Sequence, residues 1–101
     1  MDTFTKQPAE VIDYTLDFSS AVSTGDTLVT SPVPVITLVV QSGTGTAPTL
    51  GTTTVNTSGN SIKQRVSGGV DGQVCLITCR VTTAAGEVLE GEARLKIKEI
   101  Q

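Results

Sequence analysis

The sequence contains no histidine and no tryptophan, and its only aromatic residues are Phe4, Tyr14 and Phe18. Without histidine there is no Ser-His or Cys-His nucleophile arrangement, no His-based zinc site, and none of the commonest general base. Without tryptophan, and with so few rings, the core has to be built from Val, Leu and Ile. A carbohydrate-binding sandwich would also lack the aromatic platforms on which sugars stack. Charged residues are sparse at 17%, and seven Lys and Arg against ten Asp and Glu leave a net charge of −3. That balance argues against nucleic acid as a partner, since nucleic-acid binders present a basic face. No run approaches the roughly 20 apolar residues of a membrane span. The opening "MDTFTKQPAE" lacks the basic start and apolar stretch of a secretory signal, so synthesis in a cytoplasm is expected.

Cysteine is limited to Cys75 and Cys79 in "QVCLITCRV". On a strand these two side chains point the same way and lie about 13 Å apart, at ~3.3 Å per residue. That is too far for a disulfide between them. They are expected to be reduced, small buried thiols. The glycine pairs of "SGTGTAP" have no following lysine and no helix, so they make no phosphate loop. Asn56-Thr57-Ser58 has the form of a glycosylation acceptor, which matters only in a eukaryotic secretory route. The acidic residues are too scattered for a calcium loop. No cofactor and no metal is expected, and no enzymatic activity.

What the sequence does have is alternation. Period-two patterns broken by Gly, Pro, Asp and Asn recur along the chain, and no helical period lasts three turns. Ile12, Tyr14, Leu16 and Phe18 read as the inward side of a first strand, with Asp13, Thr15 and Asp17 outward, and "STGD" turns the chain. "TLVTSPVPVITLVVQ" supplies one or two strands, with Pro32 and Pro34 marking an edge or a break. Residues 41–60 read as a loop containing a short strand at Thr52–Val55, followed by "SIKQRV" as a mostly solvated strand. Cys75, Ile77, Cys79 and Val81 then alternate inward, as do Leu89, Gly91, Ala93, Leu95 and Ile97. The intervening "TTAAGE" makes Val74–Thr82 and Val88–Ile97 a hairpin. One domain spanning residues 1–101 is expected, an all-β, immunoglobulin-like two-sheet β-sandwich of about seven strands. The antibody variety is excluded, since it needs a buried Trp and a disulfide between distant strands. Ile12, Tyr14, Leu16, Ile77, Val81, Leu95 and Ile97 are the expected centre of the core.

Candidate contact residues follow from what this register leaves outside. Val74, Leu76 and Val88 fall on the outer face of the hairpin, where three aliphatics on adjacent strands make a patch for another chain. The outward positions of the last strand run Glu90, Glu92, Arg94, Lys96 and Lys98, acidic at one end and basic at the other. This is either a charged guard on an edge strand or a contact strip. If the last strand lies beside the first, Arg94, Lys96 and Lys98 meet Asp13 and Asp17, within one subunit or across a ring of copies. As a catalytic pair Asp13 and Asp17 have no pocket to raise either pKa, and they read as surface carboxylates.

Several segments together carry a resemblance. Lys6, Pro8, Glu10, Val11, Asp13, Tyr14, Asp17 and Phe18, then Gly25, Asp26 and Thr27, then Ser67, Gly68, Gly69, Thr82, Thr83 and Gly86 follow the pattern of a group of small tailed-phage proteins. The chain thus resembles the phage fiber–tail adaptor proteins, small immunoglobulin-like virion proteins. The match spans nearly the whole chain, and between Pro32 and Gly59 it holds only in character. In that group a Trp usually follows the first strand, where this chain has Ala21-Val22, and a Tyr stands where this chain has Cys75. The resemblance implies a non-enzymatic structural component of a tailed-phage virion that joins tail and fibre. It also implies other virion proteins and further copies of the chain as partners, and synthesis in a bacterial host cytoplasm. A capsid decoration protein is the alternative, and a carbohydrate- or peptide-binding module is a third reading from another class.

Overall fold

The computed structural model describes residues 2–30 and 33–99, and within them every regular element is a strand. The seven are β1 (Asp2–Lys6), β2 (Val11–Asp17), β3 (Val35–Ser42), β4 (Thr49–Asn56), β5 (Ser61–Ser67), β6 (Val74–Thr82) and β7 (Val88–Ile97). They form a four-stranded sheet in the order β1-β7-β6-β3 and a three-stranded sheet in the order β2-β5-β4. Lettered A to G along the chain, these are the C-F-G and B-E-D sheets of an immunoglobulin sandwich, with the first strand moved from beside B to beside G. The all-β, immunoglobulin-like expectation is met.

The hairpin is where the alternation placed it. β6 and β7 pair antiparallel from Val74 opposite Lys96 to Thr82 opposite Val88. Their inward residues Cys75, Ile77, Cys79, Val81, Ala93, Leu95 and Ile97 are all buried. Both thiols are free, and burial pushes the Cys79 pKa up to about 11. Residues of both sheets meet in two apolar clusters. One joins Leu16, Phe18 and Ile62 to Cys79, Val81 and Ala93; the other joins Tyr14 and Val66 to Ile77, Leu95 and Ile97. Phe4 and Ile36 touch both clusters. Of the expected core residues only Ile12 is half-exposed, because it sits at the end of its strand. Gly91 is needed where it stands: a Cβ there would lie 2.9 Å from Cζ of Phe18, so the ring packs directly on the strand backbone.

Three expectations need correction, and the segment before β4 settles between its two alternatives. β1 had no place in the sequence reading, yet it runs parallel to β7, with Phe4 opposite Leu95. β5 is not a mostly solvated strand. It is the middle of its sheet, with Ile62, Gln64 and Val66 buried. The strand placed at Thr52–Val55 extends over Thr49–Asn56, held by pairing with β5. The segment before it holds one strand, β3, starting directly after Pro34, and a lone bridge between Leu28 and Thr83. Pro32 lies outside the described residues.

Buried amides account for the irregular stretches. At the register shift between Leu50 and Thr53, the Gln64 side chain donates to Gly51 O (3.0 Å) and Arg65 O (2.9 Å) and bonds the Thr53 hydroxyl. Gln73 is fully buried and donates to the carbonyls of Thr44, Gly45 and Thr46, while its Oε1 accepts from Val70 N at 2.8 Å. Gly43 fits against this anchor at φ 94°, where a Cβ would come within 2.7 Å of the Gln73 backbone. One glutamine thus satisfies a run of carbonyls that no strand pairs.

Candidate interaction surface

The outer face of the four-stranded sheet is set by the alternation that buries its inner face. Reading across the strands, its rows are Thr3–Arg94–Leu76–Val39, then Glu92–Thr78–Thr37, then Glu90–Arg80–Val35. Thr5–Lys96–Val74–Ser42 closes one end, and the pair Val88–Thr82 closes the other.

This layout separates residues that the sequence had grouped. Val74 and Leu76 sit together and are half-buried, but Val88 pairs with Thr82 at the opposite end. Eight residue steps of strand separate Val74 from Thr82, about 26 Å. The three aliphatics therefore do not make one patch. Leu76 instead has Val39 beside it, 58% exposed, and Val35, 57% exposed, lies two rows away next to Arg80. These β3 valines were missed as surface residues because "VITLVV" is apolar at five of its six positions. Thr37 alone marks the outward face, too weak a sign to expose its valine neighbours.

The charged strip is present along β7, and Glu90, Glu92, Arg94, Lys96 and Lys98 are all exposed. It does not guard an edge, since β7 lies between β1 and β6. Nor do its cations meet Asp13 and Asp17 within the subunit. Those aspartates are on β2, in the other sheet, and the strand beside β7 is β1. Asp13 is engaged by Arg65, with Nε to Oδ1 at 2.9 Å and Nη2 to Oδ2 at 3.3 Å. Asp17 accepts the backbone N–H of Ser19 at 2.8 Å and shapes the turn after β2. Arg80 pairs with Glu90 at 3.2 Å. Among the described residues Arg94, Lys96 and Lys98 have no carboxylate partner, so the strip is basic and unneutralised at one end.

Three carboxylates are held below the ordinary value of 3.8: Asp13 by its hydrogen bond from Arg65, Asp17 by the Ser19 backbone, and Asp26 by the Thr83 hydroxyl. A depressed pKa means the native state prefers the ionised form. The resulting stability is complete above 3.8 and is lost as pH falls through the folded-state values. The melting temperature should therefore drop on acidification from about pH 5 towards pH 2. Asp26→Asn should show a shallower decline, and a melting temperature constant over this range would refute the assignment.

The residues that carried the resemblance turn out to shape the fold. Lys6 is fully buried on the inward side of β1, its ammonium donating to Gln7 O (2.7 Å), Pro8 O (3.2 Å) and Gly68 O (2.6 Å). Burial lowers its pKa, and Glu10 acts in the opposite direction. Glu10 Oε1 accepts the Gln7 N–H at 2.7 Å, closing the β1–β2 turn. Gly25, Gly68, Gly69 and Gly86 all take positive φ in the connections between strands. Asp26 accepts the N–H of Ala85 and so ties two loops together. No group of three or more His, Cys, Asp or Glu able to hold a metal gathers among the described residues.

The family described as Gp77, podophage GP4 fiber-tail adaptor protein gp77, matches residues 6–96 of the chain. No curated protein matches it. The chain belongs to the podophage fiber-tail adaptor family.

Proposed function

We propose that this chain, as a member of the fiber-tail adaptor family, joins tail and fibre as a structural, non-enzymatic component of a phage virion after synthesis in the bacterial host cytoplasm. The family match over residues 6–96 carries this reading. The geometry supports it with a rigid sandwich whose polar groups serve turns and latches, and with one outer sheet face that its own chain leaves uncovered. On that face Val74 and Leu76 lie between the unpaired Arg94 and Lys96 on one side and the exposed Val39 on the other. An apolar centre with a charged rim is the composition of a protein–protein contact. Val88, Lys98, Asp13 and Asp17 are secondary contact candidates, outside this cluster.

Leu76→Asp is expected to leave the fold intact, since Leu76 points outward, and to abolish incorporation into particles. Mass spectrometry of purified particles checks this, with copy number measured against the major capsid protein. Stoichiometry matching the tail symmetry supports the adaptor role. A copy number near that of the capsid protein would show decoration instead. Normal incorporation of Leu76→Asp would clear this face of the contact.

A further inference from the structure

Between Asp26 and Lys63 the sequence carries no charged residue, so all seven basic and ten acidic side chains lie outside that stretch. The stretch supplies β3 and β4, the terminal strands of the two sheets. Both lie on the same side of the sandwich, where a groove of about 530 Å³ is lined by Val33 and Pro34, just before β3, and by Thr53, Thr54 and Val55 of β4. On the opposite side the edges are managed. β2 carries Asp13 and Asp17, and β1 is closed onto β2 by the Phe4–Tyr14 ring stack at 4.6 Å. β4 is broken by a bulge between Leu50 and Thr53. β3 carries no charge, and its one irregularity falls at its end, between Val40 and Ser42. It is regular from Val35 to Val40, uncharged, and exposes Val35 and Val39. A long, flat, uncharged edge is a template for another strand.

We propose that β3 pairs antiparallel with β3 of a second copy about a twofold axis at Thr37, joining two four-stranded sheets into one. Three features select a second copy as the occupant. Inner and outer faces must stay aligned across the junction, so only registers that pair outward residues with outward residues are allowed. Pro34 at one end and the irregularity between Val40 and Ser42 at the other confine pairing to the segment between them. Centring on Thr37 places Val35 of each copy opposite Val39 of the other, and Ile36 opposite Leu38. β-Branched pairs of this kind stabilise antiparallel edges, and no like charges face each other to oppose them. A charged strand would find no counter-charge on β3, whereas β3 itself has the matching length, neutrality and alternation. The twofold arrangement consumes the edge on both copies, so it closes as a dimer and does not propagate as a fibre. The inference stands apart from the tail-to-fibre role and is tested on the purified chain.

Sedimentation across a concentration series reads the association, which is expected to be weak in dilute solution because one edge buries less than a standard interface of roughly 1,600 Å². Wild type should show a concentration-dependent dimer. Thr37→Lys and Thr37→Glu each place like charges across the axis and should weaken the dimer about tenfold or more. Mixing the two variants should restore it, most fully at low salt. Thr15→Lys on exposed β2 should change nothing. Should either charged variant fail to fold, Thr37→Cys gives a conservative readout. Directly opposed residues in an antiparallel pair have Cα atoms about 4.5–5.5 Å apart, within disulfide range, while the native thiols are buried. Mild oxidation should then give a covalent dimer. A wild type that stays monomeric at the highest concentration reached overturns the proposal. So does wild-type association by Thr37→Lys, a mixture that fails to pair, or a Thr37→Cys chain that does not cross-link.

Discussion

Truncation of Leu95 to alanine is expected to lower the unfolding free energy by about 2–5 kcal/mol, read as a shift in the denaturant midpoint at constant slope. Leu95 is fully buried in the row that runs from Phe4 through Leu95 and Cys75 to Val40. It belongs to the cluster in which Tyr14 and Val66 of the facing sheet meet Ile77 and Ile97. Strands on both sides are fixed by hydrogen-bonded neighbours, so the site has little freedom to collapse onto the vacated volume. Ile77→Ala should fall in the same range, being 2% exposed in the same cluster. Glu92→Ala, on the opposite face of β7, is the control and should stay within about ±0.5 kcal/mol. A Leu95→Ala loss below about half a kcal/mol would mean that β7 is turned over, since a one-residue slip exchanges its faces.

That prediction rests on the part of the fold most legible in the sequence. β6 and β7 are long, their inward residues are nearly all aliphatic or small, and a short turn joins them, so local pattern alone sets their register. β5 was misread because Lys63 and Arg65 flank Gln64, and a glutamine gives no sign in sequence that its amide is satisfied inside the sandwich. The β4 bulge, Thr53 and the Arg65 carbonyl provide those partners. β4 was cut short because Thr and Gly dominate it, and its pairing with β5, not its own burial, makes it a strand. The meeting of Asp13 and Asp17 with the basic end of β7 within one subunit failed for a different reason. Which strands become neighbours is a non-local choice, and β1 took the position beside β7 that had been assigned to β2. The outward set Val74, Leu76 and Val88 was read correctly for its face, but an antiparallel hairpin sends its two ends apart.

Replacing Lys6 is expected to match the core truncations in severity, although the residue is a cation. β1 was missed because its inward positions include Lys6, and a lysine in a small apolar core is normally a cost. Here each ammonium proton has an acceptor: Gln7 O and Pro8 O in the turn it precedes, and Gly68 O 62 residues away. The latch ties the end of β1 to the β5–β6 connection, next to the contact that Lys98 N makes with Lys6 O. Lys6→Ala leaves three carbonyls without their donor and removes the aliphatic stem, and a loss of about 3 kcal/mol or more is expected. Lys6→Met separates the two contributions, because it keeps most of the apolar stem and removes only the charged donor. If the hydrogen bonds dominate, Lys6→Met falls close to Lys6→Ala. Hydrogen exchange should then show β1 and the turn around Gly68 losing protection together, ahead of β6. A Lys6→Met protein as stable as wild type would show that the stem, not the ammonium, holds the first strand in place.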